Sequence, residues 1–196
     1  MSVAVYLCPS DTVAQVWTAR GDVSLVDQQI ITVSQIGALP KICDVAAANY
    51  VGMFGNKEPG IDGPGLFFRN SHVRLREILD GTSNTIAAGE RSHLLGEATW
   101  VGSVTGALLA PGPEDTDGIG SFEVEHSSVM VLGAAGENFS PGDPNGEPDM
   151  FYSLHPGGVH FVFADAHVAF LSTQMDAKVF EALSTRAGGE TVDSQY

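Results

Sequence analysis

Three histidines and an aspartate, His155, His160, Asp165 and His167, stand close together in the stretch Phe151 to Leu171 (FYSLHPGGVHFVFADAHVAFL). Imidazole is a common metal ligand and the side chain best suited to proton transfer near neutral pH, so this density raises both chemistries. The spacing argues against zinc. If the stretch is a hairpin, His160 and His167 share a face but sit near its opposite ends, too far apart for two Zn–N bonds of about 2.0–2.1 Å. No H-E-x-x-H is present. The plainer expectation is that His155 closes the start of the hairpin through a ring hydrogen bond and that Asp165 makes its turn.

Other reactive patterns are equally incomplete. Gly81-Thr82-Ser83-Asn84 is not a G-x-S-x-G elbow. Asp80-Gly81 followed by Ser83 and Asn84 reads as a hydrogen-bonded turn. The lysines are Lys57 and Lys178, neither beside a motif that would make it activate a serine. Two acidic Gly/Pro loops could meet a hard cation: Asp143, Asn145, Glu147 and Asp149 alternate in one, and Glu114, Asp115 and Asp117 lie in the other. Calcium takes about six to eight oxygens from such loops, yet neither fits the EF-hand pattern. The competing expectation is a solvated acidic surface. Glu90-Arg91 ends an apolar run and is open to two readings, a buried ion pair or a partner contact. An enzyme would need His155, Asp165 and Glu90 or His93 to converge in one cleft. The reading from these residues is that the chain is not an enzyme.

The elements that must position these groups are mostly strands. Val159 to Ala164 and His167 to Leu171 are rich in β-branched and aromatic residues. With Asp165-Ala166 as a two-residue turn, Phe163 faces Val168 and Phe161 faces Phe170, all on one face. His160, Val162, Ala164, His167, Ala169 and Leu171 take the other. Upstream, Val3 to Leu7, Val23 to Val33, Thr85 to Ala88 and Thr99 to Leu109 read as strands, while Val73 to Leu79 fits helix or strand. Asp176 to Leu183 reads as a short helix with Thr173 as N-cap and Gly188-Gly189 at its end.

The totals agree. The chain has 196 residues, 43% of them hydrophobic, with 23 glycines and 10 prolines. That is core enough for one loop-rich domain over 1–196, mainly antiparallel β within an α+β class. A net charge of −15 argues against nucleic acid and anionic lipid as partners and is compatible with cation binding. Cys8 and Cys43 form no C-x-x-C pair; a disulfide and two buried thiols both remain open. No apolar run reaches the ~18 residues that would span a bilayer.

Five stretches in order carry a resemblance: YLCPSD (Tyr6 to Asp11), ANYVGMFG (Ala48 to Gly55), GLFFRNSHVRLREILDGTSNTIAAGERS (Gly65 to Ser92), HPGGVHFVFADAHVAFLS (His155 to Ser172) and VFEALSTRAGGE (Val179 to Glu190). Together they resemble a large bacterial domain-of-unknown-function family of prepilin-like proteins, marked by a C-terminal H-x9-D-G motif. His155 and Asp165 meet its H-x9-D part; Ala166 stands where the motif has glycine. Asp80, Gly81, Asn84, Glu90 and Arg91 fall in the matching central stretch. The resemblance implies a pilin-like or pseudopilin-like globular head with a C-terminal hairpin and short helices, exported to the periplasm or cell surface. It also implies a hydrophobic N-terminal helix as the sole membrane contact. This sequence lacks that helix and reads as a soluble fragment. The implied role is structural, packing against copies of itself or other pilin-like subunits in a filament or secretion system. A pocket lined by Trp17, Trp100 or Tyr152 would instead favour an exported module binding calcium, a glycan or another small ligand.

Overall fold

The computed structural model describes residues 3–12, 14–21, 30–31, 37–109, 122–123, 125–143 and 146–190. The architecture is α+β with mostly antiparallel strands. The central sheet uses β4 (Tyr50–Gly55), β5 (Ile86–Glu90), β9 (Leu132–Ala134), β10 (Gly158–Phe163) and β11 (Val168–Ser172), in the order β11-β10-β5-β4-β9. All its pairings are antiparallel except β4 with β9. A second sheet orders β3 (Lys41–Ala46), β1 (Val16–Arg20), β6 (Leu108–Leu109) and β8 (Glu125–His126). A two-stranded ribbon joins β2 (Ile30–Ile31) to β7 (Phe122–Glu123).

The main core lies under β10. Its alternation buries Val159, Phe161 and Phe163, which pack with Val51, Ile86, Phe151, Leu171, Phe180 and Leu183. The Phe151, Phe161 and Phe180 rings meet edge-on at 5.1–6.3 Å, the arrangement their quadrupoles favour. Gly89, opposite Phe161 on β5, makes this packing fit: a Cβ there would lie 2.4 Å from the Phe161 ring. The second sheet has its own smaller cluster around Ala19, Val45, Leu109 and Met130.

The hairpin forms, with a different register. Val162 pairs with Val168, Phe161 with Ala169, and His160 with Phe170. The loop is Ala164-Asp165-Ala166, closed by Phe163 N–H donating to the His167 carbonyl and Ala166 N–H donating to that of Phe163. A three-residue loop in place of two slides the partner strand by one residue, which reverses its faces. Val168 and Phe170 therefore point outward, 64% and 45% exposed, while Leu171 is buried.

Other expectations need similar correction. Ala4–Tyr6 is a 3-10 turn, not a strand, and Leu75–Glu77 is another. Of Thr99 to Leu109 only Leu108–Leu109 is strand. The C-terminal helix spans Ala177–Ser184, and its N-cap is Asp176, whose side chain accepts from Lys178 N–H; Thr173 instead sits in the preceding turn. Most of Val23 to Val33, the loop carrying Glu114, Asp115 and Asp117, and Asn145 lie outside the described residues. Among the described residues no helix is long and apolar enough to cross a membrane.

Candidate functional site

The site begins at the end of β5. Successive strand residues point to opposite faces, so Glu90 and Arg91 part company. Glu90 is 4% exposed. Its Oε2 accepts from His160 N–H at 2.9 Å and lies 3.1 Å from His160 Nδ1. Its Oε1 lies 3.2 Å from His155 Nε2. That same nitrogen lies 3.5 Å from Cys8 Sγ. The thiol is brought there by the turn after Tyr6, where Cys8 N–H donates to Asn49 Oδ1. Both cysteines are free thiols, so the disulfide alternative is set aside. Tyr50 stands nearby, and burial pushes its phenol above the usual range, with Cys8 and Glu90 adding to the effect.

A neighbouring knot fastens the same N-terminal segment. Asp11 accepts from Asn49 Nδ2 and from His93 N–H, and its other oxygen pairs with His93 Nδ1. Glu97 lies close by; burial pushes its carboxyl up to about 7, opposed by His93.

Arg91 is fully buried and donates to four backbone carbonyls, those of Val129, Leu132, Asp149 and Met150, at 2.5–2.9 Å. Five fixed donors suit arginine to gathering several loops at one point. Asp80 does the complementary task with its oxygens, accepting from the N–H groups of Gly188 and Gly189 at 2.7 and 2.9 Å. Gly81, at φ +95°, turns the chain so that Asn84 bonds back to Asp80 and Gly81. The tip of the hairpin docks on this turn through Ala164 and Asp165 N–H groups, which donate to Thr85 and Thr82. Asp165 itself accepts from His167 N–H and from its ring, which holds its carboxyl below the usual range.

The groups an enzyme would need do not all converge. His155 and Glu90 meet, but Asp165 is at the far tip of the hairpin and His93 belongs to Asp11. In a cysteine–histidine–carboxylate relay, thiol and carboxylate sit on opposite ring nitrogens. Here both meet Nε2. The aromatic residues named for a pocket also separate. Trp17 donates to the Ala98 carbonyl and Trp100 stacks on Tyr6. Tyr152 lines a pocket of roughly 290 Å³ with Ser153, His155, Pro156, Gly158 and Thr173.

The acidic loop converges with a group that sequence reasoning misses. A carboxylate oxygen from each of Glu58, Glu147 and Asp149 lies within 4.8 Å of the others. Asp149 is 2% exposed, and its Oδ1 has no hydrogen-bond partner among the described residues. Burial pushes its carboxyl up to about 7, with Glu58 contributing and Arg91 opposing. Asp143 is not one of the three; its backbone N–H donates to the Ser140 carbonyl and its own carbonyl accepts from Gly146 N–H. Cys8, Asn49 and Glu58 all escape a reading of the sequence as site residues. Only Asn49 carries a signal, a polar residue inside the apolar run of Val45 to Val51.

Residues 1–178 match the model of the family described as protein of unknown function, DUF1559. The chain belongs to this bacterial family. No curated protein and no solved structure matches it. The DUF1559 match takes in Cys8, Glu90, Arg91, His155 and Asp165, and thus both halves of the cluster at β5.

Proposed function

We propose that this DUF1559 chain is a non-catalytic structural subunit, the globular head of a pilin-like or pseudopilin-like protein in a surface filament or secretion system. The observation that carries the reading is how the motif side chains are engaged. Asp80, Glu90, Arg91 and Asp165 each bind backbone N–H or carbonyl groups of segments distant in sequence or of the hairpin turn. They fasten loops and present no relay to a substrate. The α+β head with an antiparallel sheet is compatible with packing in an array, and β11 leaves one sheet edge with Val168 and Phe170 exposed. Export to the cell envelope, a membrane anchor and partners of the same kind follow from this reading. The test is cysteine cross-linking in the producing bacterium. Val168→Cys or Phe170→Cys in a Cys43→Ser background should give cross-linked dimers, one bond per engineered thiol, in the sheared envelope fraction. Monomer alone, retained in the cytoplasm, would overturn the proposal.

A second reading, an exported calcium-binding module, is favoured by one observation. Three carboxylates converge at Glu58, Glu147 and Asp149, and one oxygen of Asp149 is buried without a partner among the described residues. A hard cation bound there would satisfy that oxygen and offset the mutual repulsion.

A further inference from the structure

We propose that Cys8, Glu90 and His155 form a zinc site that clips the N-terminal segment to the central sheet. The ring nitrogen His155 Nε2 faces two partners at once, Cys8 Sγ at 3.5 Å and Glu90 Oε1 at 3.2 Å. An N–H can point at only one of them, and a bare lone pair satisfies no carboxylate. A cation between the three satisfies all. A tetrahedral zinc with Zn–S of about 2.3 Å and Zn–N and Zn–O of about 2.0–2.2 Å places sulfur about 3.6 Å from nitrogen and nitrogen about 3.4 Å from oxygen. The observed separations are close to these edges.

The donor set points to the same metal. Thiolate with imidazole is foreign to calcium and magnesium and suits zinc. The ligands come from three separate segments, and each is oriented by a further contact. Asn49 holds the Cys8 N–H, Ser153 Oγ accepts from the His155 N–H, and His160 occupies Glu90 Oε2 so that Oε1 is left for the site. Such outer contacts are what fix ligand direction in metal centres. Cys8 and Glu90 are buried while the His155 side chain is 26% exposed, so the fourth position opens towards solvent and takes water.

The metal used as probe is cobalt(II), followed by zinc, on chelator-treated whole protein. One equivalent of cobalt should bind with a thiolate-to-metal charge-transfer band. The band should persist in Cys43→Ser and vanish in Cys8→Ser. X-ray absorption of the zinc-loaded wild type should show one sulfur in the first shell, a readout independent of how any variant folds. The carboxylates at Glu58, Glu147 and Asp149 can produce neither signal. Absence of sulfur from the shell, or a band that survives Cys8→Ser, would overturn the site.

Discussion

Ala166 holds φ at +71°, a conformation that glycine adopts without strain and alanine does not. It is the third residue of the hairpin loop, the left-handed position that follows a type I turn. Ala166→Gly should therefore stabilise the protein by about 1 kcal/mol, the relief of strain less the added chain entropy. Thermal or denaturant unfolding measures it, and an unchanged or lowered midpoint would contradict the strain. Arg91 is the opposite case, a residue whose removal leaves four carbonyls facing no donor. Arg91→Met should cost about 3 kcal/mol or more, since unsatisfied buried groups are expensive. A loss below about 1 kcal/mol in urea unfolding would show that water replaces the guanidinium. The H-x9-D spacing is legible in the sequence. What those residues grip is not, because their partners lie up to 147 positions away.

The C-terminal hairpin shows why register resists reading from a sequence. Val159 to Leu171 has apolar residues on both faces, so neither register leaves one face wholly polar. Alternation says which residues share a face; loop length then decides which face is inside. Here the loop has three residues because its tip docks on Thr82 and Thr85, a contact that exists only after folding. The energetic consequence is testable. Phe161→Ala should cost about 3–5 kcal/mol, whereas Val168→Thr should stay within about 0.5 kcal/mol. Equal losses at both positions would restore the two-residue turn. The C-terminal helix is legible to within a residue because 3.6-residue periodicity is local. Its cap is not, because Thr173 and Asp176 both suit that role, and the turn from Ser172 to Met175 uses the former.

At the scale of the molecule, two acidic groups titrate far from their ordinary range. Asp149 and Glu97 are each pushed up to about 7 by burial. A raised carboxyl means that the folded state holds protons the unfolded chain has lost between about pH 4 and 7. Their stabilising contribution is complete below the unfolded values near 4 and is lost as pH rises towards 7. Without divalent cations, this part of the stability should fall across that window by up to about 4 kcal/mol for each group, at about 1.4 kcal/mol per pKa unit. Asp149→Asn should flatten the fall, measured as thermal midpoint against pH in EDTA. If calcium binds the carboxylates, it should raise the wild-type midpoint at pH 7.5 and leave Asp149→Asn unmoved, with about 2.7 kcal/mol gained at a hundred times the dissociation constant. No rise at millimolar calcium removes the binding reading.

The sequence by itself determined the α+β class, the existence of the hairpin and the final helix, and the acidic balance of the chain. Those follow from period, turn chemistry and net charge, which are local or additive. Tertiary structure alone decided that Arg91 gathers the carbonyls of Val129, Leu132, Asp149 and Met150, that Cys8 and His155 meet Glu90, and that Glu58 joins Glu147 and Asp149. Each of those meetings joins segments whose separation along the chain carries no trace of their contact. The pairing of β5 with β10 and the turn that returns residues 3–12 to the sheet bring the first cluster within reach, and the parallel pairing of β4 with β9 brings together the loops that carry the second.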